Sequence, residues 1–226
     1  LPVTDRRTRI ASLIDYSVLK ATATQEDVRK ACAEARLYRF CNVTVNPCYV
    51  SKAANLLRGS GVKVCSVIGF PLGATTTVAK VTEALKAMED GAEELDVVMN
   101  LGLMKSRMFE AVKEDVKSVV LAAKRRDPNA LVKVIIEACY LTDEEKKKAC
   151  QLTVAAGADF VKSSTGFGAG GATPSDISLM RKVVGPSVGV KASGGIKTLA
   201  DVESLLLAGA SRIGTSNGPS IIQEIT

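Results

Sequence analysis

Gly157-Ala158-Asp159-Phe160-Val161-Lys162 is the stretch on which the fold turns. It reads as the end of a helix, a glycine that lets the chain reverse, and the entry to a short strand. Gly91-Ala92-Glu93-Glu94-Leu95-Asp96 and Gly209-Ala210-Ser211-Arg212-Ile213-Gly214 repeat the same pattern. In this register Asp96, Lys162 and Gly214 are equivalent positions. If the three copies fold alike, these residues lie at similar heights on strands four, six and eight, where alternate strands fill one interior layer of a barrel.

Working outward, short β-rich runs alternate with longer helical patterns. The spacing predicts strands at Leu13–Leu19, Phe40–Val45, Val62–Ile68, Glu94–Met99, Val132–Glu137, Phe160–Ser163, Val188–Ala192 and Arg212–Gly214. A helical segment follows each. Thr24 with Asp27, Thr142 with Glu145, Thr173-Pro174 and Thr198 read as helix starts, and Thr75-Thr76-Thr77 as another cap. Val112, Val116, Val119, Val120 and Ala123 form an apolar stripe that needs a sheet to pack against. The strands are nearly continuous apolar runs, as parallel strands covered by helices are. Eight such units predict an α/β protein, a single (β/α)8 barrel spanning residues 1–226. The alternative is a doubly wound open sheet, but no Gly-x-Gly-x-x-Gly follows the first strand and no linker divides the chain.

Composition narrows the chemistry. The 226 residues include no histidine, so Ser-His-Asp and Cys-His catalysis and histidine-bound metals are excluded. Acid–base work near neutral pH falls to Lys, Asp, Glu, Tyr, Cys or water. Cys32, Cys41, Cys48, Cys65, Cys139 and Cys150 contain no C-x-x-C pair and read as buried, reduced thiols of a cytosolic protein, with no zinc site. Leu1 to Arg9 lacks the apolar core of a leader, and no run is long enough to span a membrane. The net charge of +6 comes from Lys and Arg interspersed with acids, as in Lys146-Lys147-Lys148 after Asp143-Glu144-Glu145. That pattern suits solvated helix faces better than a nucleic-acid stripe.

Three charges break apolar runs: Lys162 after Phe160-Val161, Lys191 after Val188-Gly189-Val190, and Asp96 inside Leu95-Asp96-Val97-Val98. One such charge is ordinarily an ion-pair member. Two lysines and an aspartate facing inward on a barrel point instead to function, because burying them is costly. Two ammonium groups ~5 Å apart at an effective dielectric of ~20 repel by roughly 3 kcal/mol. The first to lose its proton is pushed from ~10.4 toward ~8, and burial lowers it further. A neutral lysine amine attacks carbonyl carbon. After strands seven and eight, Ser193-Gly194-Gly195 and Gly214-Thr215-Ser216-Asn217-Gly218 suit a phosphate held by backbone N–H groups. Gly166-Phe167-Gly168-Ala169-Gly170-Gly171 is a third glycine-rich loop, read as a phosphate cradle, a mobile lid or a plain flexible loop. Asp15, Asn46 and Glu137 fall at strand ends, where each either orients a substrate hydroxyl or caps the next loop. Lys20 and Lys197 read as exposed, with Lys197 able to reach a phosphate.

The stretches Ile14-Asp15-Tyr16-Ser17-Val18-Leu19-Lys20, Val45-Asn46-Pro47, Val67 to Gly73, Glu94 to Asn100, Asp159 to Gly166, Val190 to Ile196 and Arg212 to Ser216 resemble the deoxyribose-phosphate aldolase family over nearly the whole chain. The resemblance implies a metal-independent, cofactor-free class I aldolase. Such enzymes reversibly cleave 2-deoxy-D-ribose 5-phosphate to acetaldehyde and D-glyceraldehyde 3-phosphate. It places the Schiff-base lysine on Lys162, the second active-site lysine on Lys191, the acid–base aspartate on Asp96 and a supporting carboxylate on Asp15. Phosphate and substrate contacts are expected near Gly166, Gly194, Gly195, Ser216, Asn217 and Asn46. It further implies small-molecule phosphosugar and aldehyde substrates, a cytoplasmic location and a homodimer, with no nucleic-acid or membrane partner. Departures are Tyr16-Ser17 where many members have His-Thr, and Phe167 where some have a phosphate-binding Lys. Another Schiff-base aldolase, of the transaldolase or keto-acid type, and a non-catalytic phosphosugar- or nucleic-acid-binding barrel are the competing readings.

Overall fold

The computed structural model describes residues 3–226, with side chains from Arg6 onward; Leu1 and Pro2 of the N-terminal stretch lie outside the described residues. In chain order the elements are α1 (Val3–Ala11), β1 (Ile14–Val18), α2 (Gln25–Tyr38), β2 (Asn42–Val45), α3 (Val50–Leu57), β3 (Lys63–Ile68), α4 (Thr77–Glu89), β4 (Glu94–Val98), α5 (Leu101–Lys105) and α6 (Phe109–Arg126). They continue as β5 (Leu131–Ile135), α7 (Asp143–Ala155), β6 (Phe160–Lys162), α8 (Pro174–Val184), β7 (Gly189–Ser193), α9 (Leu199–Leu207), β8 (Arg212–Thr215) and α10 (Gly218–Gln223). The eight strands are all parallel and close in sequence order, β8 pairing β1. This is a (β/α)8 TIM barrel. The expected strands are all present, with ends moved by one or two residues. The helix α1 before the first strand and the short α5 are additions that the alternating pattern did not announce.

Local chemistry explains the helix starts. Thr24, Thr142 and Thr198 each accept from the amide three residues on, while Asp27, Glu145 and Asp201 bond back, completing capping boxes. Thr76 and Thr173 cap α4 and α8. Gly91, Gly157 and Gly209 all have positive φ, which is the backbone requirement behind the repeated hexapeptide. The Lys146 and Lys147 ammonium groups pair with Asp143 and Glu144, and Lys146 also with Asp176 across to α8, as the solvated-face reading expects.

Outward-facing strand residues such as Ile14, Val43, Leu95, Val97, Val132, Val134, Val161, Val190 and Ile213 are buried under the helices, against stripes that include Val112, Val116, Val119, Val120 and Ala123. Each such side chain contributes roughly 1.5–3 kcal/mol by leaving water. The apolar core of the molecule is therefore the annulus between sheet and helices. The barrel interior is something else.

The strand pairing shows what fills that interior. Following it from Asp96 through Lys133 leads to Phe160, and two residues on is Lys162. The same step from Lys162 through Lys191 to Arg212 reaches Gly214. From Gly214 through Asp15 to Asn42 it reaches Thr44, and from Thr44 through Cys65 to Glu94 it returns to Asp96. This two-residue advance per pair of strands is the stagger that a tilted eight-stranded barrel requires. Asp96, Lys162, Gly214 and Thr44 thus form one layer, as the repeat suggested for the first three. The odd strands place Asp15, Cys65, Lys133 and Lys191 together in the next layer by the same construction.

Outside the barrel, Lys80 on α4 is fully buried, with its Nζ 2.6 Å from Asp115 Oδ2 on α6 and donating to the Val98 carbonyl at 2.9 Å. Thr77 donates to the other Asp115 oxygen at 2.8 Å. The Lys80 stem packs against Gly69, so the pair ties the loop after β3 to the end of β4. Asp115→Ala would strand an ammonium in that apolar layer. The expected loss is about 3–5 kcal/mol of unfolding free energy, read from urea melts; a loss within ~1 kcal/mol would show that the pair is not needed.

Candidate active site

The charged residues of the barrel interior converge on one carboxylate. Asp96 Oδ2 accepts from Lys162 Nζ at 2.7 Å and from Lys191 Nζ at 2.7 Å, while Asp96 Oδ1 accepts from Lys133 Nζ at 3.0 Å. All four residues are buried, Lys162 being 2% exposed. Two nitrogens that share one oxygen at these distances stand no more than about 5.4 Å apart, twice the shared separation. The close lysine pair expected from the sequence is present and faces inward.

Asp15 lies beneath. Its Oδ2 is 2.5 Å from Lys191 Nζ and 3.7 Å from Lys133 Nζ, and its Oδ1 accepts from Arg212 at 2.7 Å. The Oδ2 contact with Lys191 is an ion pair without hydrogen-bond geometry. Glu94 Oε2 is 2.6 Å from Lys133 Nζ, accepts from Asn42 Nδ2 at 2.8 Å and lies 3.4 Å from Arg212. The site is thus a continuous ion lattice, and sequence reasoning found only part of it. Lys133, Glu94, Arg212 and Asn42 went unremarked. The signal for Lys133 was available, since it interrupts Leu131-Val132-Lys133-Val134-Ile135 as Lys162 interrupts its own run.

The electrostatics divide the lysines. Burial lowers Lys162, and repulsion from Lys191 adds to that, so it falls below the ordinary lysine range despite Asp96. Burial also disfavours charge on Lys191, but Asp15 and Asp96 outweigh it and hold the residue above its usual value. Lys133 is likewise buried, and Asp96, with Glu94 and Asp15, raises it well above that value. Burial alone would raise the two aspartates. The Lys133, Lys162 and Lys191 charges instead hold Asp96 well below the usual carboxylate range, and Lys191, Lys133 and Arg212 do the same for Asp15. Cys65, whose Sγ lies 3.3 Å from Asp96 Oδ1, is pushed up to about 12 chiefly by burial and stays a neutral thiol. Burial and the Lys191 charge thus both act on Lys162 in the direction expected from the sequence.

Lys162 forms the floor of a cavity of about 770 Å³ at the C-terminal ends of the strands. Gly166, Gly194, Gly195, Ser216 and Asn217 line it, as do Lys20 and Lys197, both exposed. Gly194 and Gly195 both have positive φ, which bends the loop after β7 around the opening. The Asn217 amide is already committed to Thr215 Oγ1 at 2.9 Å. Asn46 is not among the lining residues; its side chain donates to the Leu19 carbonyl at 3.4 Å, bracing the end of β1. Asp15 also does not line the cavity. Glu137 accepts from both the amide and the hydroxyl of Thr165, and the Ala172 amide donates to the Gly194 carbonyl at 3.1 Å. The glycine-rich loop after β6 is therefore tethered at both ends. Within it Phe167 meets Phe70 edge-on, with ring centroids 5.3 Å apart, and walls one side of the mouth. Of the six cysteines, all free, Cys32, Cys65 and Cys150 are buried, whereas Cys48 and Cys139 are exposed, against the expectation of uniform burial.

Fold and site together define a barrel aldolase, with an amine of lowered basicity at the base of an open cleft. The comparisons specify it further. Residues 9–223 match the DeoC/LacD family aldolase description. The chain is 57% identical over 218 residues to the deoxyribose-phosphate aldolase of Carboxydothermus hydrogenoformans, covering 96% of each chain. It is 55% identical to that of a Geobacillus species, again covering 96% of each. The solved structure described as a unique tetrameric deoxyribose phosphate aldolase from Aeropyrum pernix superposes with a TM-score of 0.90 at 40% identity, covering 98% of this chain and 94% of that one. The chain belongs to the DeoC/LacD family of aldolases.

The buried carboxylates set an acid limit on the fold. Asp15 and Asp96 have depressed values when folded and ordinary ones, ~3.9, when unfolded. Their contribution is fully present above the unfolded value and is lost as pH falls toward the folded values. Urea melts should show little change from these groups between about pH 7 and pH 5 and a steep loss below about pH 4. A stability that stayed flat to pH 2.5 would contradict the ion lattice.

Proposed function

We propose that this aldolase reversibly cleaves 2-deoxy-D-ribose 5-phosphate to acetaldehyde and D-glyceraldehyde 3-phosphate through an imine on Lys162. The observation that carries the reading is the sharing of Asp96 Oδ2 by Lys162 and Lys191, with only the former lining the cavity. The uncharged Lys162 amine adds to the C1 carbonyl of the open-chain sugar, giving a carbinolamine. Loss of water gives a protonated imine, which is an electron sink. The C3 hydroxyl proton leaves, the C2–C3 bond breaks, and its electron pair forms an enamine, releasing D-glyceraldehyde 3-phosphate. Protonation of the enamine carbon and hydrolysis release acetaldehyde and restore the amine.

In this reading Lys191 stays charged and keeps Lys162 from holding its proton. Asp96, working through water, serves carbinolamine dehydration and the proton transfers. Asp15 anchors Lys191. The backbone amides of Gly194, Gly195 and Ser216 hold the phosphate. Asn217 contributes its side chain, Gly166 shapes the rim, and Lys197 or Lys20 supplies the cationic contact that Phe167 cannot. Asn46 supports the end of β1 and sets the shape of the cleft from outside it. The same reading has residues 1–226 acting as one domain, in the cytoplasm, as a homodimer. Six free thiols suit a reducing compartment. Among the described residues no helix is long and apolar enough to cross a membrane.

Borohydride reduction in the presence of acetaldehyde should leave a two-carbon adduct on the Lys162 peptide, read by mass mapping. Lys162→Ala should abolish the adduct and lower kcat by at least about a thousandfold. Lys191→Leu should slow turnover and move the rate optimum to higher pH, since removing the neighbouring cation lets Lys162 keep its proton longer. An adduct on a different lysine, or an unmoved optimum in Lys191→Leu, would overturn the assignment of roles.

A further inference from the structure

The lattice beneath Lys162 holds three carboxylates, Asp15, Glu94 and Asp96, against four basic groups, Lys133, Lys162, Lys191 and Arg212. With all of them ionised the buried interior carries one uncompensated positive charge, which is costly. With one basic group neutral the count closes. Geometry decides which one. Arg212 contacts Asp15 and Glu94, and a guanidinium does not give up its proton. Lys133 has contacts to Glu94 at 2.6 Å, Asp96 at 3.0 Å and Asp15 at 3.7 Å. Lys191 contacts both Asp15 and Asp96. Lys162 has a single carboxylate contact, an oxygen it shares with Lys191.

We propose that Lys133 is a positioning residue: by occupying Asp96 Oδ1 and bridging to Glu94 it completes a matched set of three cations and three carboxylates, leaving Lys162 as the surplus base. Lys133 never meets the substrate. It lies in the layer below Lys162, with no place in the cavity wall. Its effect is to satisfy one oxygen of Asp96 permanently, so that only the other is available to Lys162 above it and to Lys191 in its own layer. This goes one step deeper than the Lys191 effect and rests on the reading of Lys162 as the reacting amine. The other titratable groups nearby lie outside the set that these ion pairs join. Cys65 and Cys41 are pushed up by burial, to about 12 and about 11, and are neutral thiols. Glu137 is a buried carboxylate that accepts from Thr165 and makes no ion pair with the lattice cations, and Glu34, in the cavity wall, accepts from Tyr16. Lys20, Lys30 and Lys197 line the outer cavity.

The inference makes opposite predictions for two buried variants that do not touch the substrate. Lys133→Met removes a permanent cation, so Lys162 takes up a proton more readily and the pH at which it loses that proton rises. Glu94→Gln removes a carboxylate, so that pH falls. Shifts on the order of one pH unit are expected in each direction. The readout is competitive labelling of the folded protein with an amine-reactive aryl fluoride across a pH series, with the Lys162 peptide quantified by mass spectrometry. It measures the amine itself and involves no aldehyde chemistry, so failure of the aldolase reading would appear separately, in the trapping experiment. Lys133→Arg should restore a midpoint near wild type, which a purely structural role would not require. If Lys133→Met fails to fold by circular dichroism, Glu94→Gln decides alone. A midpoint unmoved or raised in Glu94→Gln, or both variants shifting the same way, overturns the proposal.

Discussion

One oxygen atom, Asp96 Oδ2, receives hydrogen bonds from two lysines, and the rest of the barrel interior is arranged around that constraint. A carboxylate oxygen can accept from both, but two cations held that close repel each other strongly once water is excluded. The arrangement is tolerable because the partners are unequal. Lys191 has a second carboxylate in Asp15, and Lys162 has none. The asymmetry in supporting contacts, more than the proximity itself, sets the two amines apart: Lys191 is held above its usual value and Lys162 falls below it.

Such a lattice needs a container. The apolar work of folding is done outside the sheet, where helices cover Leu95, Val132, Val134, Val161 and Val190. That frees the inside of the barrel from supplying hydrophobic stability and lets it hold ions in place of the branched aliphatic side chains that usually fill it. Closure also removes the sheet edges through which water could reach Asp96 and Lys133 from the side. Access is left at the C-terminal mouth, where Lys162 meets the cavity.

Much of this was legible in the sequence, for identifiable reasons. The capping threonines and the recurring Gly91, Gly157 and Gly209 announce the helix–turn–strand unit because they answer local backbone needs. Lys162, Lys191 and Asp96 stand out because each breaks an apolar run. Glu94 and Arg212 do not, because each begins its strand, where a charge ordinarily meets solvent. Barrel tilt and stagger carry those first residues into the closed interior, a consequence of topology that no short window contains. Lys133, the middle residue of β5, is readable by the same rule as Lys162, since it breaks the apolar run Leu131–Ile135. Lys80 on α4 looks like any helix-surface lysine; only its packing against Asp115, 35 residues away in sequence, reveals the burial.

The same topology bears on why Lys162 of β6, and not Lys191 of β7, lines the cavity. The strand is three residues long, and Lys162 is its last residue. It stands in the layer above Lys133 and Lys191, and of the basic groups in the lattice it alone lines the cavity. Lys191 pairs with Lys162 across the sheet, but β7 runs on through Ala192 to Ser193, whose hydroxyl donates to the Ser164 carbonyl and whose amide donates to Ser163 Oγ, just past the end of β6. Equal register thus gives unequal exposure. Lys162 is thus open to the mouth, and the better-compensated Lys191 lies beneath it, held between Asp15 and Asp96.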